Sequence, residues 1–75
     1  MLKREGLKPG MKVEENQPRF PYQRTRTGVI RSDPHHPEQI LVSANGDLSM
    51  IPVLITDALS LTYDWWALSS FKVVE

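Results

Sequence analysis

The residues best suited to chemistry lie in the segment RFPYQRTRTGVIR, residues 19–31. Its guanidinium groups can pair with phosphates or carboxylates through two parallel hydrogen bonds, and its two rings offer flat surfaces for stacking. This pattern is typical of a surface that binds nucleic acid or an acidic partner. The alternative is a solvated strand edge protected by charge, with the rings folded back over the end of the core. The candidate partner-binding residues here are Arg19, Phe20, Tyr22, Arg24 and Arg26.

A second aromatic cluster lies in TYDWWALSSF, residues 62–71. Neighbouring side chains point to different sides of both a strand and a helix, so Trp65 and Trp66 cannot face the same core. One is expected to close the interior with Phe71. The other either covers a second apolar face or stays exposed for a partner, so Tyr63 and both tryptophans are added to the candidate binding residues.

Motifs for catalysis are missing from the sequence. It has no glycine-rich phosphate loop, no cysteine and no familiar arrangement of serine, histidine and aspartate. His35 and His36 are adjacent in DPHHPE, but two neighbouring histidines rarely fill a tetrahedral metal site without a third ligand. We therefore predict a non-enzymatic protein with no catalytic residues, no metal site and no cofactor.

Composition sets further limits. The chain has 75 residues and a net charge of zero, yet residues 1–36 hold eight basic and four acidic residues and residues 37–75 hold one basic and five acidic. The two halves are expected either to pair with each other or to present a basic face. The longest apolar runs, such as IPVLI, are too short to span a bilayer, and no leader pattern is seen. The sequence thus predicts one cytoplasmic domain.

Frequent proline and glycine residues separate short segments rich in valine, isoleucine and threonine, which favours an all-β fold. Strands are predicted around residues 11–14, in RTRTGVIRS and in FKVVE, with a turn at Pro9 and Gly10. Asn45-Gly46 predicts a hairpin with a type I′ turn that places Ile40 opposite Ile51. Pro52 is expected to end the ladder or mark an edge. One or two short helical turns are predicted near residues 56–69.

The layout of the chain resembles a Src-homology-3-like small barrel of five strands. The segments that carry the resemblance are LKPGMKV, TGVI, ILVSANGDLSMIP and FKVV. The resemblance covers most of residues 1–75, with residues 1–8 as a candidate flexible N-terminus. It implies a binding role. The opening motif and third-strand tryptophan pair of the adaptor members are missing, so proline-rich peptide binding is not carried over.

These observations predict a binding module, with a protein-interaction or regulatory role first. Binding of nucleic acid through the Arg19–Arg31 segment is the alternative. A small homo-oligomer that buries one face of the predicted hairpin, with Leu41, Leu48 and Met50, is the second alternative. A monomer or small homo-oligomer without membrane contact is expected, and the size would suit a phage or mobile-element protein.

Overall fold

A computed structural model describes residues 2–18, 20–57 and 60–74. The fold is all-β, as predicted, and its one helical element in these ranges is a single 3-10 turn. No helix in the described ranges has the length and apolar character needed to cross a membrane. The elements are the 3-10 turn Arg4–Gly6 and the strands β1 Lys12–Glu15, β2 Thr27–Ile30, β3 Ser32–Asp33, β4 His36–Ile40, β5 Met50–Ile55, β6 Thr62–Ala67 and β7 Phe71–Val73.

Five of these strands form one antiparallel sheet in the order β6-β5-β2-β1-β7, and β3 pairs with β4 in a small second sheet. Alternate residues of the large sheet point to one face, called here the inner face, which carries most of the core. Leu7 and Ile40 complete this core from outside the large sheet. The core cluster consists of Leu7, Val13, Ile30, Ile40, Ile51, Val53, Ile55, Trp66 and Phe71.

The predicted Src-homology-3-like barrel is wrong. Neither sheet closes on itself, and β6 and β7 remain as the two edges of the large sheet. The physical reason is that β4 pairs with β3 rather than with β5, so the central hairpin of the barrel layout is absent.

The segment around Asn45 explains why that hairpin does not form. A type I′ turn needs a positive φ at both central residues, but among the described residues only Gly10 and Gly46 have one. The turn lies one residue earlier, where the N–H of Gly46 donates to the carbonyl of Ser43 at 2.9 Å. Side-chain oxygens of Asn45 and Asp47 then accept backbone N–H groups within the same loop, which replaces the strand ladder by local bonds.

The helical turns predicted near residues 56–69 are also corrected. Residues 62–67 are strand β6, which pairs along its whole length with β5. Threonine, tyrosine and tryptophan favour a pleated, half-buried surface, and the long partner strand decides the outcome. The part of the prediction that falls on residues 58–59 lies outside the described residues.

Other local predictions hold. Pro9 and Gly10 form a turn in which Gly10 has φ of 89°. A strand occurs at Lys12–Glu15, close to the predicted residues 11–14, and shorter strands than predicted occur within RTRTGVIRS, as Thr27–Ile30, and within FKVVE, as Phe71–Val73. Near the N-terminus, Leu7 is buried and the guanidinium of Arg4 donates to the carbonyl of Ile40 at 3.2 Å.

Pro52 lies inside β5, opposite Trp65 in the ladder with β6. The ladder between β2 and β5 ends at Val53, the residue next to Pro52. Pro52 therefore lies just beyond that ladder, and its missing N–H removes no bond from it.

Candidate functional site

An ion-paired cluster lies at one end of the inner face. Arg26 donates from Nε to Glu15 Oε1 at 2.9 Å and from Nη2 to Asp64 Oδ2 at 3.0 Å. Glu15 belongs to β1 and Asp64 to edge strand β6, so the guanidinium links two strands that are not neighbours in the sheet. The same group lies 5.6 Å from the centre of the Trp66 ring. These contacts assign Arg26 a structural role within the fold.

The electrostatics of this cluster agree with that role. The hydrogen bond to Glu15 is the main reason why the pKa of Arg26 is raised above its ordinary value. Burial by itself would raise the pKa of Asp64, but hydrogen bonds from the Trp65 N–H, Arg26 and the Trp66 indole outweigh it and lower that pKa. Arg26 and Asp64 are therefore each held in the charged form, in part by the hydrogen bond between them.

The two tryptophans are divided between the faces of β6. Trp66 is 4% exposed, and its ring centre lies 6.0 Å from that of Phe71, as expected for the tryptophan that closes the interior. Trp65 points to the opposite face, called here the outer face, where it is half-buried opposite Pro52.

The outer face carries one continuous row across four strands. Tyr63 lies opposite Leu54, Leu54 opposite Val29, and Val29 opposite Lys12. The row runs from an aromatic ring at the β6 edge, through two aliphatic side chains, to an exposed cation. Trp65 extends the aromatic end of the row along β6.

The guanidinium of Arg31 lies over the ring of Tyr63, 4.0 Å from the ring centre. Tyr63 is nevertheless 56% exposed. A groove of about 370 Å³ opens beside this pair, between the sheet and the turn at Pro9. It is lined by Pro9, Gly10, Val29, Ile30, Arg31, Ser32, Leu54 and Tyr63. We call this region the outer-face groove.

The loop between β1 and β2 presents a separate aromatic pair. The rings of Phe20 and Tyr22 stack with centres 5.8 Å apart and an angle of 12°, and they are 45% and 81% exposed. Arg24 is also exposed, whereas Arg19 lies outside the described residues. This loop precedes β2, whereas Arg31 follows it, so the arginines of the basic segment are divided between opposite ends of one strand.

The histidine loop shows no metal-binding geometry in the described parts of the chain, where no group of three suitable side chains comes together. The N–H of His35 donates to Asp33 Oδ1 at 2.8 Å, which fixes the turn between β3 and β4.

The sequence pattern predicted Tyr63 and Trp65 as binding residues but did not place Arg31, Val29 or Leu54 on the same surface. A signal was present in TGVIR, where period-two alternation puts Val29 and Arg31 on the face opposite Ile30. The pairing of that face with Tyr63 depends on the strand order, which the alternation does not contain.

Comparison with known proteins adds no family. No protein-family model, no curated protein and no solved structure matches the chain.

Proposed function

We propose that this chain is a non-enzymatic protein-interaction module that binds its partner on the outer face of the large sheet. The observation that carries this proposal is the exposed ring of Tyr63, held under Arg31 and beside the half-buried Trp65. Tyrosine, tryptophan and arginine are the residues most enriched at the centres of protein interfaces.

The outer-face groove is well suited to such a contact. Its aromatic and aliphatic residues stand on neighbouring strands of one sheet, so their relative positions are fixed before a partner arrives. A preorganised surface loses little conformational freedom on binding, which favours affinity. The buried Pro52 supports the Trp65 side of this surface from the adjacent strand.

The non-enzymatic part of the proposal is supported by how the ionisable groups are used. Arg26 donates to the carboxylates of both Glu15 and Asp64 and so joins β1 to β6. Perturbed carboxylates at an active site usually face a cleft, whereas Asp64 faces Arg26 and the Trp66 indole. A cytoplasmic location completes the proposal, and the lack of cysteine suits a reducing compartment.

Nucleic-acid binding has less support than protein binding. It was predicted from arginines acting together, but Arg26 is paired with two carboxylates, and Arg24 and Arg31 lie beyond opposite ends of β2. The homo-oligomer alternative rested on a hairpin face that does not form. Leu48 belongs to a loop and Met50 to β5, so the two residues do not stand on one hairpin. The side chain of Leu48 is 55% exposed.

The test is capture of partners from a lysate on immobilised protein, with and without nuclease. Three proteins are compared: wild type, Tyr63→Ala and Tyr22→Ala. The last variant removes the same side chain from the separate loop surface and is the matched control. Circular dichroism establishes that each variant is folded.

We expect nuclease-resistant capture that Tyr63→Ala abolishes and Tyr22→Ala leaves intact. Loss of capture on nuclease treatment would instead show a nucleic-acid partner. Loss with Tyr22→Ala but not with Tyr63→Ala would move the interface to the loop. Self-capture, checked by sedimentation equilibrium, would identify a homo-oligomer.

A further inference from the structure

We infer that the outer-face groove recognises a carboxylate on an acidic peptide segment of the partner protein, with Arg31 as the specificity-determining residue. The inference rests on the proposed function and deepens it, because it names the chemistry of the partner. It follows from the hydrogen-bonding capacity of Arg31, the charges around the groove and the state of the β6 edge.

The contact with Tyr63 positions Arg31 but leaves its N–H donors available. Stacking on a ring engages the flat face of a guanidinium, whereas its five N–H donors lie in the plane and point outward from the edge. Within the described ranges, the side chain of Arg31 has no hydrogen bond and no ion pair. A planar donor group held at a groove with its edge unpaired is suited to a carboxylate, which accepts two parallel bonds from it.

The surroundings of the groove select for negative charge. None of the described residues that line it is acidic. Lys12 ends the row that begins at Tyr63, and Lys8 precedes the turn at Pro9; both lysines are exposed. Their charges add to that of Arg31 and favour an acidic segment over a neutral or basic one.

The groove also has room for an apolar anchor beside the carboxylate. Val29 and Leu54 are only partly buried and lie between the cation of Lys12 and the ring of Tyr63. An aliphatic or aromatic side chain placed over them would be removed from water, which supplies affinity that the charge pair alone lacks. The expected ligand therefore has an aspartate or glutamate next to an apolar residue.

Recognition is expected on this side-chain face because one outward backbone donor of the neighbouring β6 edge is already taken. The carbonyl of Pro52 accepts a hydrogen bond from the N–H of Arg31 at 3.0 Å, so this carbonyl points toward the β2 side of β5. In an antiparallel ladder its partner Trp65 then directs its own backbone away from β5. That outward N–H of Trp65 is taken by Asp64 Oδ1 at 2.8 Å, which hinders addition of another strand to the middle of β6.

The test uses a random peptide library displayed on phage and selected against the folded, full chain. We expect enriched peptides to carry an aspartate or glutamate adjacent to an apolar residue. A synthetic copy of an enriched peptide is then titrated against wild type, Arg31→Gln and Arg31→Lys. Arg31→Gln should weaken binding roughly tenfold to a hundredfold, as for loss of a charge-assisted hydrogen bond. The affinity of Arg31→Lys should lie between those of wild type and Arg31→Gln, because lysine keeps the charge but lacks the paired donors.

Two controls separate recognition from a structural effect. Arg24→Gln removes an equal charge at the other end of β2 and should leave affinity unchanged. A peptide with its carboxylate replaced by the matching amide should bind wild type more weakly but lose nothing further on Arg31→Gln, since the two changes remove one interaction.

Enriched peptides that need Tyr63 but lack acidic residues, or that bind Arg31→Gln as tightly as wild type, would overturn this inference and leave the proposed function standing. Failure to enrich any peptide, or binding that survives Tyr63→Ala, would overturn both. Competition between an enriched peptide and a labelled oligothymidylate for the same Arg31-dependent site would also overturn both, in favour of nucleic acid.

Discussion

The ring of Trp66 packs against the ring of Phe71, with centres 6.0 Å apart and planes at 49°. Trp66 stands on β6 and Phe71 on β7, the two edges of an open five-stranded sheet. The contact is thus made where a barrel would have closed, and it lets the inner face bury its apolar residues without a further ladder. Arg26 links the same end of β6 to β1 through Asp64 and Glu15.

Replacement of each tryptophan should therefore have different effects. Trp66→Ala should lower the free energy of unfolding by about 3–5 kcal/mol, as for loss of a buried large aromatic residue. A domain of this size has roughly that much stability in total, so the variant should be largely unfolded. Trp65→Ala should stay folded and lose about 1–2 kcal/mol, because Trp65 is half-buried. Urea denaturation followed by far-ultraviolet circular dichroism measures both. Equal losses would contradict the division of the pair between two faces.

Gly28 should tolerate no side chain. A Cβ at this position would overlap Val53 and come within 2.5 Å of the backbone oxygen of Leu54. Gly28→Ala should therefore cost about 1–3 kcal/mol or more, because the strands must separate to admit the methyl group. Gly6→Ala is the matched control, since nothing lies within 4 Å of its Cβ position and its φ is not positive. That change should stay within about 0.5 kcal/mol of wild type. The same urea denaturation measures the free energy of unfolding of both variants. An unchanged stability of Gly28→Ala would refute the close approach of β2 and β5.

Acid should destabilise the protein partly through Asp64. Its pKa is lower in the folded state than in the unfolded chain, where the pKa of aspartate is about 3.9. The stabilising contribution is therefore fully present above that value and is lost as the pH falls through the folded-state pKa. Asp64→Asn should remove this part of the pH dependence, and Glu38→Gln, which removes an equal charge from an exposed position, is the control. Urea midpoints measured from neutral to acidic pH should show the wild type and Asp64→Asn converging. Parallel curves would contradict this role of Asp64.

The features that the sequence predicts well are local. The alternation in TGVI, the glycine at the Pro9 turn and the tail FKVVE depend on neighbouring residues and predict β2, the turn and β7. The separation of Trp65 from Trp66 follows from backbone geometry and needs no knowledge of the fold. One of them does pack with Phe71, as predicted.

The features that were missed depend on partners distant in sequence. Asn45-Gly46 is a strong hairpin signal, but a turn dipeptide does not decide which strand β4 pairs with. Arg31 could be recognised as part of a basic segment, yet its place over Tyr63 requires the order β6-β5-β2. Likewise, the sequence does not show that Arg26 forms ion pairs, because Glu15 and Asp64 come close to it only in the fold. Tyr63, Trp65 and Arg31 were therefore predictable as residue types suited to binding, and their geometry was not.

The most direct test of the outer-face binding surface is a nuclear magnetic resonance titration of labelled protein with an enriched peptide or a captured partner segment. We expect the largest shifts on the backbone of Val29, Arg31, Leu54 and Tyr63 and on the indole N–H of Trp65. Signals from residues 20–24 should stay unchanged, because that loop lies beyond the other end of β2. Shifts centred on residues 20–24, with the outer-face groove undisturbed, would show that the partner does not bind at the groove.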